Sequence, residues 1–198
     1  MPLMKDEVPR DPYPLFELWF RQAREAGALQ PDAMTLATSG EEGPSARMVL
    51  FKGLQDGAFI FYTNYDSRKG RDLSHDRRAA LVFYWAVTRH QVRVYGTVRK
   101  LRREASADYF ATRPRGARLS ALASPQSRVV RSREQLEKRV LELAAAHPDE
   151  VPVPRTWGGY ALRPSWIEFW ETRDDRLHDR LRYVLDYRGA WRIERLAP

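Results

Sequence analysis

The first clear periodicity in the chain is helical. Leu15, Leu18, Trp19, Ala23 and Ala26 recur at the spacing of one helix face, with Asp11 placed to cap, Pro12 in the first turn and Gly27 as the stop. From Met34 the pattern becomes short apolar stretches: Met34–Ser39, Met48–Phe51, Ala58–Thr63, Ala79–Ala86 and Gln91–Val98. The last alternates Val92, Val94, Gly96 and Val98 on one face, as a half-buried strand does. Gln55-Asp56-Gly57 predicts a hairpin turn. Short helices are expected over Ser67–Ser74, with Ser67 as cap, and over Glu104–Thr112, ended by Arg113-Pro114. Ser132 and Gln135 fit a capping box for a helix to about Ala146, its apolar face carrying Leu136, Val140 and Leu143. After a proline-rich loop at 148–154, strands return at Trp157–Leu162, Ile167–Trp170, Leu181–Tyr187 and Trp191–Arg195. The pattern predicts one mainly β, antiparallel domain over 1–198 with three or four flanking helices and a flexible segment at 1–10.

Composition narrows the function. The 198 residues, 43% of them hydrophobic, suffice for one buried core. Cysteine is absent, which excludes disulfides, thiolate metal sites and cysteine nucleophiles. The four histidines are scattered without ligand spacing, so no metal site is expected. The longest apolar run, Ala79 to Val87, is too short to span a bilayer, and the N-terminal residues lack the apolar core of a secretory signal. A cytoplasmic protein is expected. The net charge of +8 rests on twenty-nine arginines against five lysines, by compositional bias or to attract anions. No basic tail or RNP-type aromatic motif accompanies it, so nucleic acid is not the expected partner. Neither G-x-G-x-x-G nor a P-loop is present, so side chains must hold any phosphate.

Three stretches concentrate chemistry. Arg47 to Lys52 puts cations at both ends of a strand. Ser67-Arg68-Lys69 lies at a helix N-terminus, where free N–H groups and the helix dipole favour an anion. Arg176 to Arg180 collects titratable groups at the start of a strand, where alternation puts Arg176, His178 and Arg180 on one face. Each stretch alone also fits solvated surface charge in salt bridges.

Together these stretches resemble the pyridoxine/pyridoxamine 5′-phosphate oxidase family. The segments are RMVLFK (47–52), FYTNYDSRK (61–69), Gln91-Val92, YFATRPR (109–115), Gln126-Ser127, IEFW (167–170), RLHDR (176–180) and WRIERLAP (191–198), in family order. The resemblance implies a six-stranded antiparallel split β-barrel with flanking helices, a homodimer, and FMN at the subunit interface. It assigns Arg47, Met48, Val49, Leu50, Tyr62, Thr63, Arg68, Lys69, Gln91, Gln126, Ser127, Trp170 and Arg180 to the cofactor. Lys52, Tyr109 and Arg113 would hold the substrate phosphate, two cations and a phenol suited to a dianion. Arg176 and His178 would act as catalytic residues that cover and orient the substrate ring. The implied reaction oxidises pyridoxine or pyridoxamine 5′-phosphate with O₂ to pyridoxal 5′-phosphate and H₂O₂.

The chain departs from the family pattern at three places. Ala117 replaces a usual serine, with Arg118, expected in the same loop, as a competing phosphate donor. His90 replaces a usual arginine, and the basic segment usual before the first helix is mostly missing. A phenazine-type flavin oxidase, a non-catalytic FMN or pyridoxal phosphate binder and a basic nucleic-acid-binding module are the other readings.

Overall fold

The computed structural model of the chain describes residues 3–198. Its elements are α1 (Pro12–Glu25), β1 (Ala33–Gly40), β2 (Gly43–Leu50), β3 (Leu54–Gln55), β4 (Ala58–Asn64), α2 (Arg68–His75), β5 (Arg78–Trp85) and β6 (His90–Lys100). Then follow α3 (Arg103–Thr112), α4 (Arg115–Ala123), α5 (Arg133–Ala146), β7 (Trp157–Glu171), β8 (Asp179–Leu185) and β9 (Trp191–Arg195). One antiparallel sheet runs in the order β2-β1-β5-β6-β7-β4-β3, with the β8–β9 hairpin added to β7. Strands β1, β2, β4, β5, β6 and β7 make a six-stranded frame. The two-residue β3 and the C-terminal hairpin extend it. After β2 the chain turns back onto β4, where Lys52 N donates to Ile60 O and Ile60 N to Gly53 O. The ends approach there without closing the sheet, so the frame is an open antiparallel barrel.

Alternation fills the barrel. Val92, Val94 and Val98 of β6 point inward with Leu81 and Phe83 of β5 and Phe59 and Phe61 of β4, all buried. Helix α1 closes this core. Asp11 caps it by accepting from Tyr13 N, and Phe16 meets Phe51, Phe59 and Phe83 edge-on at 4.9–5.4 Å between centroids. Leu18, expected on the buried face, is exposed, because it lies about 200° round the helix from Phe16. A second cluster of Phe110, Leu119, Leu143, Val151 and Trp157 fastens α3, α4 and α5 to the start of β7.

Three local expectations are corrected. Residues 115–123 form helix α4 rather than a loop, since Pro114 serves as its N-cap and starts a helix as readily as it ends one. The separate strands expected at 157–162 and 167–170 are one strand, β7. Register with β6 passes from Tyr95↔Trp166 to Gly96↔Pro164, a bulge that absorbs the proline. Gly96 permits this, because a Cβ there would lie 2.0 Å from Arg163 O. Finally, β8 begins only at Asp179. Arg176 sits in the preceding turn at φ +67°, so the one-face alternation with His178 and Arg180 does not reach it.

Of the segment 1–10, residues 1 and 2 lie outside the described residues. Leu3 N donates to Asp179 Oδ2 at 3.3 Å, and Tyr183 Oη donates to Pro9 O at 2.8 Å. Among the described residues no helix is long and apolar enough to cross a membrane.

Candidate functional site

Strands β2 and β4 and helices α2, α3 and α4 wall a cleft of about 800 Å³. One end is built on the start of α2. Ser67 caps this helix, its Oγ accepting from Gly70 N at 3.4 Å and from Lys69 Nζ at 3.3 Å while donating to Asn64 O at 2.6 Å. Only glycine fits at position 70, where a Cβ would stand 2.0 Å from Tyr65 O. The buried Lys69 ammonium also donates to Gln126 Oε1 at 3.1 Å, and Thr63 Oγ1 donates to the same oxygen at 3.2 Å.

Behind Lys69 the Arg47 guanidinium donates to Leu36 O at 3.0 Å and Thr38 Oγ1 at 2.7 Å and pairs with Asp72 at 3.4 Å. Burial first, then the Arg47 charge, push Lys69 down to about 8, with Asp72 opposing. Arg68 opens α2 beside them. Its Nη2 lies 3.5 Å from Glu42, and its buried Nε has no hydrogen-bond partner. It lines a separate, smaller pocket of about 180 Å³ and not the main cleft. Arg47 and Lys69 thus share one buried carboxylate, Asp72, while Arg68 faces the exposed Glu42, and this end carries a surplus of positive charge.

The other end is also cationic. Arg113 lies 4.9 Å over the Trp157 ring, and its Nη1 is buried without a partner. Burial lowers its pKa. Lys52 is paired with Asp32 at 3.0 Å. Between the ends runs an aromatic ladder, Tyr109 on Tyr62 at 3.9 Å and Tyr62 on Trp157 at 5.3 Å, both nearly parallel. Opposite stands α4, which presents Ala117, Ser120, Ala121 and Ser124, the i, i+3, i+4, i+7 positions of one face. Small side chains there leave the cleft open.

Met48, Val49, Leu50, Lys52, Tyr62, Thr63, Lys69, Tyr109, Arg113 and Gln126 all line this cleft. Arg47 backs it, and Ser127, at φ +69°, follows Gln126 without lining it. The remaining candidates gather elsewhere. Gln91, Trp170 and Arg180 form one row across β6, β7 and β8. The His178 ring lies 4.7 Å from Trp170, and its Nδ1 accepts from Arg173 N at 3.1 Å, which leaves the proton of a neutral ring on Nε2. Arg180 donates to the buried Glu168 at 2.9 Å, which Arg93 pairs with from the other side. Arg176 is exposed in its turn. None of these five lines the cleft.

Sequence reasoning missed Trp157, Asn64, Thr112, Ser120 and Ser124 as cleft residues. For the two serines the signal was present in the small-residue spacing of 117–124. It was lost with the unrecognised helix.

His90, beside Gln91, stacks on Trp19 at 3.8 Å, and its Nδ1 is buried without a partner. Burial pushes its pKa down to about 4. The unfolded chain, titrating near 6.5, then binds more protons, so stability held above about pH 6.5 drains away as pH falls towards 4. Melting temperature should fall between pH 6.5 and 4.5, and His90→Gln should flatten that fall. Parallel profiles for the two proteins would contradict this.

An open antiparallel barrel with a cleft that is cationic at both ends and aromatic between them has the chemistry that suits planar, phosphorylated molecules. Comparison with known proteins gives the family. Residues 20–147 match the family described as pyridoxamine 5′-phosphate oxidase, and residues 157–198 match its pyridoxine 5′-phosphate oxidase C-terminal dimerisation region. The chain belongs to the pyridoxamine 5′-phosphate oxidase family. A pyridoxine/pyridoxamine 5′-phosphate oxidase of Salinibacter ruber is 54% identical over 99% of this chain and 93% of its own length. One from Burkholderia thailandensis is 50% identical over 97% and 91%. Among solved structures, PhzG of Burkholderia lata, in complex with tetrahydrophenazine-1-carboxylic acid, superposes with a TM-score of 0.92. It is 34% identical and covers 98% of this chain and 95% of its own. A pyridoxamine 5′-phosphate oxidase-related FMN binding protein of Nostoc punctiforme, 18% identical, shares the fold at a TM-score of 0.77 over 96% of this chain and all of its own.

Proposed function

We propose that the chain is an FMN-dependent oxidase, acting as a cytoplasmic homodimer, that converts pyridoxine or pyridoxamine 5′-phosphate to pyridoxal 5′-phosphate. O₂ takes up the two electrons and leaves as H₂O₂. The amine also consumes water and releases ammonia. The observation that carries this reading is the pair of cationic ends, which suits two phosphates in one cleft.

The residues present fit FMN. A buried lysine with a lowered pKa, an unpartnered Arg68 Nε and the α2 N-terminus are donors suited to a phosphate dianion. FMN, when bound, would supply the acceptor for a hydride from the substrate and the means of passing electrons to O₂. Lys69, Arg47 and Arg68 would hold its phosphate, and Thr63 and Gln126 its polar chain. Lys52, Tyr109 and Arg113 would hold the substrate phosphate and so fix the reacting carbon. Arg176 and His178, from the second subunit, would cover the substrate ring, with His178 Nε2–H free to donate. The exposed Met48 and Leu50 on the edge strand β2, which line the cleft, favour a second subunit there.

A phenazine-type oxidase is the second reading, favoured by the overlay on PhzG. The Lys52–Tyr109–Arg113 end favours a phosphorylated substrate over it. Purified protein should be yellow and, given pyridoxine 5′-phosphate in air, should form aldehyde and H₂O₂ in equal amounts. Arg113→Ala should raise KM for that substrate by roughly tenfold to 150-fold while kcat changes little. A flavin-loaded protein that leaves both phosphorylated vitamers untouched would remove the vitamin B6 reading and keep the flavoprotein one.

A further inference from the structure

The α4 face of the cleft differs between its two ends. At the end nearer Arg113 the first cleft residue is Ala117, which has no donor to offer a phosphate. One turn on, Ser120 lines the same cleft and also the groove between α4 and α5, is exposed, and its Oγ has no hydrogen-bond partner among the described residues. Arg118 follows Ala117 by about 100° of helical rotation and is not among the cleft residues. Its Nε is buried without a hydrogen-bond partner.

We propose that Ser120 is a specificity residue whose hydroxyl donates to the substrate phosphate, completing the site formed by Lys52, Tyr109 and Arg113. Three features support it. Lys52 is already paired with Asp32, so a further neutral donor on the facing wall strengthens the site for a dianion. A helix residue one turn beyond Ala117 projects from the same face, about 5 Å along the axis. The hydroxyl is also uncommitted, so phosphate binding breaks no internal bond.

The assignment rests on the two-phosphate reading of the cleft. The experiment uses flavin-loaded wild type, Ser120→Ala and the Ser120→Ala/Ala117→Ser double variant. Alanine is the better helix former, so the substitution spares the fold. Binding of pyridoxal 5′-phosphate and of unphosphorylated pyridoxal is measured by titration, and KM and kcat with pyridoxine 5′-phosphate. Ser120→Ala should weaken the phosphorylated ligand about threefold to tenfold and raise KM in proportion, with kcat, flavin content and pyridoxal binding unchanged. Ala117→Ser in that background should recover much of the loss, because it offers a hydroxyl from the same face. A change within twofold for Ser120→Ala, or an equal loss for both ligands, overturns the assignment alone. If the wild type binds no phosphorylated ligand, the proposed function falls and the assignment with it.

Discussion

Lys69→Ala should purify with little or no flavin, its FMN dissociation constant raised roughly tenfold to 150-fold. That range corresponds to about 1.5–3 kcal/mol for a charge-assisted hydrogen bond to phosphate. The sign of the pH dependence follows from the burial of Lys69. With a pKa of about 8 in the flavin-free chain, Lys69 is charged at neutral pH and loses its proton as pH rises through that value. FMN affinity should therefore decline above pH 8, by up to about tenfold per unit, while Lys69→Ala shows no such decline. A second effect has the opposite direction. Arg47 and Lys69 share Asp72, and burial already disfavours the ammonium. Replacing Lys69 with the uncharged Met should hold or raise the melting temperature of the flavin-free protein while abolishing tight binding. Flavin titration of the three proteins at pH 7 and 9, with melting curves of the flavin-free forms, tests both effects. Wild-type affinity in Lys69→Ala would place the FMN phosphate elsewhere.

The sequence carried the frame of the barrel and most of the cleft because both are written locally. Inward positions of β6, Val92, Val94, Gly96 and Val98, keep a period of two, and Asp11, Ser67 and Ser132 each cap the expected helix. What was lost depends on partners distant in sequence. Pro114 ends α3 as expected but also starts α4, and the gap expected between two strands is bridged by β7, where Pro164 is absorbed because Gly96 lets the Arg163 carbonyl approach. Phe16 displaces Leu18 from the core because three aromatic rings of β4, β5 and the chain after β2 converge on it. Trp157 follows the same rule. Nothing near it in sequence marks a cleft residue, yet it lies between Tyr62 and the Arg113 guanidinium. Family motifs placed Lys52, Lys69 and Arg113 in the cleft without showing that α4 forms its opposite wall.

Mixing two impaired variants should restore activity. Most candidate residues line or adjoin the cleft, whereas Gln91, Trp170, Arg176, His178 and Arg180 lie apart from its lining. These five lie mostly within residues 157–198, the segment matching a dimerisation region. If each complete site joins the cleft of one subunit to His178 of the other, a two-fold dimer has two such composite sites. Lys69→Ala empties the cleft at limiting FMN. His178→Ala should retain flavin and slow turnover by roughly tenfold to 100-fold through loss of a donor to the substrate. In a heterodimer of the two variants, one site carries both substitutions and the other carries neither. Random reassortment after co-refolding gives half heterodimers, so activity should return to about a quarter of wild type. Sites contained within single chains would give a different result, since every site then keeps one substitution and mixing restores nothing. Flavin content of each parent is measured alongside, because a His178→Ala protein without flavin would move His178 from the substrate to the cofactor.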